Sequence, residues 1–396
     1  VASTRALIAV EQGEHAEAVL ADQLPEGTDG RLAWHLTFGV LRHRAQIDAA
    51  LRPFLRKPIA SLDPPVRAVL RVGAFEKLFS RTPDHAAVQQ AVEVARRVGA
   101  RRAVGLVNAV LRRVRPAKQL SRTDALDMPS WLLERWDARY GVDVTTAWCE
   151  RDHVVPPLCL VTRDLAALDA LLAPNTPSAR LDGEDLPGTR VVPPGPRPPG
   201  VEEGVAWVQD PAAVRVADLL ADEVGTGRVL DATASPGGKS LRLWARGLAV
   251  TATDLPRRLQ RLRDNAQRLD APITIQPHDW TQPAPGLGTF DGVLLDAPCT
   301  GLGTTRRHPE IRWRRHASDL AEAAALQGRL LRQVQHAVRP GGCLVYAVCS
   351  PEPEEGSAVV EPFVAEAPFE LVRMWSSAPP SGEEDAHQAF VLRKAP

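Results

Sequence analysis

Apolar residues recur at three- and four-residue spacing through the first 115 positions, the period of amphipathic helices. Val66, Val69, Leu70 and the run from Gly73 to Leu78 form one stripe; Ala87, Val88, Ala91, Val92 and the run from Val94 to Val98 form another. Asp63-Pro64-Pro65 opens a helix, because proline is tolerated in a first turn whose amides lack helical partners. Asp84 is placed to cap the next helix. Residues 1–117 therefore read as an all-α bundle. From Pro116 to Asp127 the pattern lapses into a linker. Pro129-Ser130 then opens an amphipathic helix carrying Trp131, Leu132, Trp136 and Tyr140, and Cys159 to Thr162 is strand-like. Proline and glycine crowd residues 187–200, which excludes regular structure there. Residues 125–205 are expected to form a small α+β subdomain.

Over 206–396 the pattern alternates between short apolar strands and helical stretches. Arg228 to Asp231, Val250 to Asp254, Ile273 to Ile275, Phe290 to Asp296 and Gly341 to Val348 read as strands. Helices are expected from Lys239, over Arg257 to Leu269 and over Asp319 to Val338. This succession predicts a doubly wound, Rossmann-like α/β domain whose ligands bind at the carboxyl ends of the strands.

Composition narrows the class. The chain is 44% apolar and 24% charged, the balance of a globular protein. No run of about 18 apolar residues occurs, so no membrane helix is expected. Val1 to Glu11 has no signal-peptide core, and a cytoplasmic monomer is expected. Cys149, Cys159, Cys299, Cys343 and Cys349 make no CxxC pair and no His/Cys array at zinc spacing, so they read as free thiols and no metal is expected. The 48 basic and 48 acidic residues cancel, which on its face argues against a nucleic-acid partner. The cancellation is regional: residues 1–117 carry 18 basic and 11 acidic side chains, net +7, against −3 over 118–200 and −4 over 201–396. Eight basic residues and no acid lie between Arg96 and Lys118, Arg112 and Arg113 among them. A solvated helix face and a phosphate-contacting surface both fit this run.

Candidate chemistry gathers at the strand ends. Asp231, Asp254, Asp279 and Asp296 each follow a strand, and the small-residue turn from Ala232 to Gly238 lets a ligand approach the backbone. The glycine triple of a dinucleotide fold is missing. A phosphate-binding P-loop fails because its first glycine position is Thr233. Asp254 stands where an acid hydrogen-bonds ribose hydroxyls. Lys239 lies in the turn-to-helix step and is one of only five lysines in the chain. Cys299, in Asp296-Ala297-Pro298-Cys299-Thr300-Gly301, and Cys349, after the fifth strand, sit on neighbouring strand ends. That placement points to thiol chemistry rather than to two small core hydrophobes.

Two resemblances follow from these residues. Phe38 to Arg42, Leu62 to Arg67, Leu70 to Ala74, His85 to Val88 and Val107 to Arg112 together resemble a NusB-like RNA-binding domain. Asp231 to Lys239, Asp296 to Gly303, Arg306 to Trp313 and Leu344 to Pro351 resemble the S-adenosylmethionine-dependent RNA cytosine-5 methyltransferases. Jointly the chain resembles the RsmB (Sun/Fmu) family of 16S rRNA methyltransferases. The resemblance implies Cys349 as nucleophile toward carbon 6 of cytosine, Cys299 as the residue assisting product release, and Asp296 holding cofactor or base. It implies an S-adenosylmethionine site on Thr233, Ala234, Ser235, Pro236, Gly237, Gly238, Lys239, Asp254, Asp279 and Asp296. Arg306, Arg307, Arg312, Arg314 and Arg315, beside this site, are expected to contact RNA together with Arg112 and Arg113. The target base must be unpaired or flipped. The same chemistry on tRNA, or a non-catalytic RNA-binding assembly factor, are the competing readings. The chain departs from the family's usual residues at Thr233, Ser235, Ser240, Trp280, Val348 and Gly356, which bears on the shape of the cofactor pocket.

Overall fold

The helical period of the N-terminal block is realised as helices Ala2–Glu11, Ala16–Gln23, Thr28–Arg42, Arg44–Leu51, Pro64–Phe79, Asp84–Arg97 and Val104–Arg113 in a computed structural model. Residues 24–27, 196–197 and 285 lie outside the described residues, so part of the expected 187–200 loop is not covered. Asp63 is the N-cap of Pro64–Phe79 as expected, whereas Asp84 is the first helical residue and Pro83 the cap. The apolar stripes converge on one core containing Leu51, Leu70, Phe75, Ala95, Val107 and Leu111. Arg71 is buried within this bundle, with Nη1 2.7 Å from Glu11 and Nη2 2.8 Å from Asp48, so its charge is matched on two sides.

The chain divides into two units, and the division differs from the expected one. Val1–Val154 and Thr305–Arg315 form the first unit; Val155–Thr304 and His316–Pro396 form the second. The expected middle subdomain is therefore split. Helices Arg122–Leu126, Ser130–Tyr140 and Val142–Arg151 join the first unit, where Trp136 stacks on Trp148 with ring centroids 4.2 Å apart. Asp127 explains the attachment: its Oδ1 accepts from the amides of Ala45 at 2.6 Å and Gln46 at 3.3 Å, capping the helix Arg44–Leu51.

In the second unit a three-stranded antiparallel sheet, Leu158–Thr162 between Thr189–Val192 and Ala206–Val208, precedes a seven-stranded one. The small sheet is no separate body, because Cys159, Val161 and Trp207 share a core cluster with Val214, Leu241 and Ala266. The large sheet is built from β1 (Arg228–Asp231), β2 (Ala249–Asp254), β3 (Thr274–Pro277), β4 (Phe290–Asp296), β5 (Val338–Val348), β6 (Phe369–Ser376) and β7 (Gln388–Lys394). Its order is β6-β7-β5-β4-β1-β2-β3. All neighbours from β5 to β3 run parallel, and β7 is antiparallel to both β5 and β6. The chain winds outward from β1 to β3, then returns to β4 and β5, so the switch of direction falls between β1 and β4. A crevice forms at such a point, at the strand carboxyl ends. The C-terminal hairpin β6–β7 had no sequence expectation, and helices Pro211–Val224 and Ser357–Glu366 likewise add to the expected set. No helix among the described residues is long and apolar enough to cross a membrane.

Candidate active site

The turn after β1 is pinned on both flanks of the switch point. The Thr233 hydroxyl donates to the carbonyl of Asp296 at 2.8 Å, and the amide of Ala234 donates to the carbonyl of Thr253 at 3.0 Å. The Ser235 amide donates to Asp254 Oδ2 at 3.0 Å, and its hydroxyl donates to the carbonyl of Arg258. Thr233 and Ser235, two of the departures from family pattern, are thus both used to hold the turn. Gly237 follows at φ +111°, where a Cβ would also lie 2.7 Å from Leu262 Cδ1, so the bend requires glycine. It opens the helix Gly238–Ala245, which carries Lys239 and Ser240 on successive positions.

Four carboxylates surround this turn in different states. Asp231 is fully buried, its Oδ2 accepts from the Ser240 hydroxyl at 2.6 Å, and its Oδ1 has no partner. Burial pushes its carboxyl up to about 7, against the Ser240 hydrogen bond and with help from Asp296 and Asp254. Asp254 is buried with both oxygens accepting backbone amides, from Ser235 and from Leu255. Asp296 Oδ2 accepts from Lys239 Nζ at 2.7 Å. Burial works against the Lys239 charge, but Asp296 and, more weakly, Cys349 and Asp231 outweigh it and raise the ammonium above its ordinary value. Asp279 stands apart in character: it is exposed and its Oδ1 accepts from the amide and hydroxyl of Thr281, which lower its carboxyl. Trp280 beside it is buried, donating from Nε1 to Thr253 Oγ1 at 2.9 Å, so that departure serves the core.

The two candidate thiols meet. Cys299 Sγ, after β4, lies 3.2 Å from Cys349 Sγ, after β5, and both are half-buried. β4 and β5 are paired with Asp296 opposite Ala347, which brings the two following turns side by side. The hydrogen bond to Cys349 and burial raise the Cys299 thiol well above its ordinary value, which favours its protonated form.

What shapes the Cys299 turn is a residue that sequence reasoning passed over. Glu355 is fully buried; its Oε1 accepts from the Thr300 amide at 2.8 Å and from Gln327 Nε2 at 3.0 Å, and its Oε2 accepts from the Thr300 hydroxyl. Gln327 Nε2 also reaches the carbonyl of Pro298 at 3.0 Å. The acid pair Glu354-Glu355 shortly after Cys349 is the only signal in the sequence that could have found it. Gly303 closes the other side of the turn: its amide donates to the carbonyl of Cys349, and a Cβ there would lie 1.8 Å from the carbonyl oxygen of Ala386.

The arginines expected to contact RNA separate into two groups. Arg312 is fully buried in the first unit, with Nη1 donating to the carbonyl of Asp127 at 3.2 Å and Nη2 to the carbonyl of Thr305 at 2.8 Å. Its guanidinium is paired with the buried Asp152 at 3.4 Å. Arg306 is buried and donates to the carbonyl of Val154. Arg314 donates to the carbonyls of Gly13 and Glu14. The expectation of an RNA contact is corrected for Arg306 and Arg312, because a guanidinium buried inside the protein cannot reach a phosphate. Arg307 and Arg315 are half-buried. Arg112 and Arg113 are exposed, and Arg112 borders a groove of about 720 Å³ with Lys77, Gln89, Arg96 and Asn108.

Comparison with known proteins agrees with this architecture. Residues 219–389 match the model of the 16S rRNA methyltransferase RsmB/F family, and residues 2–116 match the NusB family. A ribosomal RNA small subunit methyltransferase B of Xanthomonas campestris pv. campestris is 35% identical over 100% of this chain and 92% of its own length. The protein of the same name from Salmonella arizonae is 34% identical over 91% of this chain and 88% of its own. Among solved structures, the crystal structure of PH0851 superposes with a TM-score of 0.83 over 99% of this chain and 98% of that one, at 23% identity. NSun6 from Pyrococcus horikoshii with SFG gives 0.56 over 68% of this chain and 98% of that one, at 16% identity.

Proposed function

The chain belongs to the RsmB/F family of 16S rRNA methyltransferases, and from that premise we propose that it methylates carbon 5 of an unpaired cytosine of 16S rRNA with Cys349 as nucleophile. It is an S-adenosylmethionine-dependent RNA methyltransferase. The residues at the switch point suit that cofactor. The unpartnered Asp231 Oδ1 offers a buried acceptor beside the turn. Thr233 to Lys239, Asp254 and Asp296 would hold it. Asp279 would contribute from the exposed rim. When bound, S-adenosylmethionine supplies an electrophilic sulfonium methyl group for an electron-rich carbon.

The single observation that carries the reading is the 3.2 Å approach of Cys299 and Cys349 at adjoining strand ends. Carbon 5 of cytosine is a poor nucleophile. Addition of the Cys349 sulfur to carbon 6 forms an S–C6 bond and makes carbon 5 enamine-like. Lys239 supports the electron-rich sulfur, since Cys349 is among the groups that favour its protonated state. After methylation, a base such as a solvent water takes the carbon 5 proton, the C–H electron pair re-forms the C5–C6 double bond, and the Cys349 sulfur leaves as thiolate with the S–C6 pair. Cys299, a protonated thiol against Cys349, is placed to pass a proton as the sulfur leaves. Asp296, held by Lys239, faces the same turn and would orient the base or the cofactor. The exposed Arg112 and Arg113, with Arg96 along the groove, supply the RNA-backbone surface.

The test is methyl transfer to naked 16S rRNA and to tRNA, with bisulfite mapping of the product. Cys349→Ala is expected to abolish turnover while still binding S-adenosylmethionine by calorimetry. Cys299→Ala is expected to trap a covalent RNA adduct seen as a gel shift. Full turnover in Cys349→Ala overturns the mechanism, and methylation of tRNA alone overturns the substrate.

A further inference from the structure

Three polar side chains far apart in sequence converge inside the first unit, away from the thiol pair. His43 sits between the helices Thr28–Arg42 and Arg44–Leu51. Asp127 ends the short helix Arg122–Leu126 with a left-handed φ of 48°, a conformation that turns its carboxylate onto the start of Arg44–Leu51. His153 follows the helix Val142–Arg151. One ligand atom from each lies within 4.8 Å of the other two, and His153 Nε2 is 3.2 Å from Asp127 Oδ2.

The unusual feature is what these atoms lack. His43 Nδ1 and His153 Nε2 are both buried and neither has a hydrogen-bond partner. Buried nitrogens are nearly always satisfied, because an unmade bond costs the desolvation of the group. Here His153 Nε2 faces the Asp127 carboxylate, and a ring nitrogen of His43 lies within 4.8 Å of the ligand atoms of both. Asp127 itself is fully buried, and its Oδ2 accepts only Gln46 Nε2 as a close hydrogen bond, at 2.7 Å. His43 is held from its other side by the ring of Phe79, with centroids 4.5 Å apart, so its orientation is set by packing.

We propose that His43 Nδ1, His153 Nε2 and Asp127 Oδ2 form a binding site for a divalent transition-metal ion of the zinc type. Two imidazole nitrogens and one carboxylate oxygen are a donor set for a borderline ion, not for Mg²⁺ or Ca²⁺, which take oxygen. His153 keeps 17% of its side chain exposed, giving a route for the ion and room for a water as fourth ligand. Zinc distances of about 2.0–2.2 Å need the three side chains to close slightly on the ion. Arg42 and Arg312 lie near His43, but both are engaged by Asp152, through its carbonyl and its carboxylate respectively. The ion would staple the helical bundle to the segment 122–153 that follows the linker. The site escapes any spacing rule, since 84 and 26 positions separate its three residues. The sequence expectation of no metal rested on local spacing alone.

The test uses the full chain stripped with a chelator and titrated with Co²⁺ alone. One equivalent is expected to give the visible d–d absorption of a low-coordinate N/O site with no sulfur-to-cobalt band. His153→Gln, at a position 17% exposed, is expected to keep the circular dichroism of the parent and lose the signal; His43→Gln is a second variant. Zn²⁺ is expected to raise the melting temperature of the parent and not that of His153→Gln, and Mg²⁺ to do neither. Three results overturn the proposal: no cobalt spectrum, as when a buried water bridges the same atoms; a spectrum unchanged in His153→Gln and His43→Gln; or a thiolate band that disappears in Cys349→Ser.

Discussion

Asp231 is a carboxyl strongly altered by its surroundings. Its folded value of about 7 lies above the ordinary 3.8, so between those pH values the folded chain holds a proton that the unfolded chain has released. Stability contributed by this group is therefore present below pH 4, falls as pH rises, and levels off above pH 7. Asp231→Asn removes the titration. Relative to the parent, its unfolding free energy is expected to rise with pH by at most about 1.4 kcal/mol per unit up to pH 7, then stay constant. Urea midpoints measured across that window check the slope. An offset that is flat from pH 4 to pH 8 would show that Asp231 ionises normally. Of the neighbouring carboxylates, Asp254 accepts from two amides and Asp296 from an ammonium.

At the scale of elements, the site depends on two turns that begin where parallel strands end. The first is held by hydroxyl and amide contacts across the β1–β4 switch point. The second, carrying Cys299, is held from behind by Glu355 and Gln327. Glu355→Ala leaves the Thr300 amide, the Thr300 hydroxyl and the Gln327 amide without their shared acceptor in a fully buried place. The expected cost is about 3 kcal/mol or more. Because the Cys299 turn loosens, the methylation rate is expected to fall more than cofactor affinity, with Glu355→Gln closer to the parent. Chemical denaturation and single-turnover methylation separate the two effects. Strand alternation and the Asp-Ala-Pro-Cys turn are legible in the sequence, since each is a local pattern. Glu355 is not, because an acid close after a strand looks like any surface carboxylate until the fold buries it.

Across the whole molecule, the chain passes between its two units at 154/155, 304/305 and 315/316. The segment 305–315, which follows the Cys299 turn, is integral to the helical unit through Arg306 and Arg312. Arg112 and Arg113, in the basic run of the N-terminal block, are exposed. Replacing Arg112 and Arg113 together by Ala is expected to weaken RNA binding about uniformly across sequences. The slope of log affinity against log salt is expected to fall by about 1.4 if each contacts one phosphate of a single strand. Filter binding at several salt concentrations measures this, with S-adenosylmethionine affinity unchanged as the control. The net charge of zero is thus compatible with RNA binding, because a local patch releases counterions regardless of acids elsewhere.

The sequence alone determined the helical character of the first block, the strand-ended acids, the P-loop exclusion and the pairing of Cys299 with Cys349 on neighbouring turns. All of these rest on periodicity or turn chemistry within a few residues, which the backbone imposes locally. Tertiary structure alone decided that Arg312 is a buried clasp and not an RNA contact, and that Glu355 shapes the Cys299 turn. It alone attached residues 118–154 to the N-terminal unit, and brought His43 against Asp127 and His153. Arg312 meets Asp152 across 160 positions, and Arg42 meets the Arg306 carbonyl across 264. Whether a charged side chain is solvated or enclosed depends on such distant partners, because burial is a property of the packed chain rather than of any residue's neighbours in sequence.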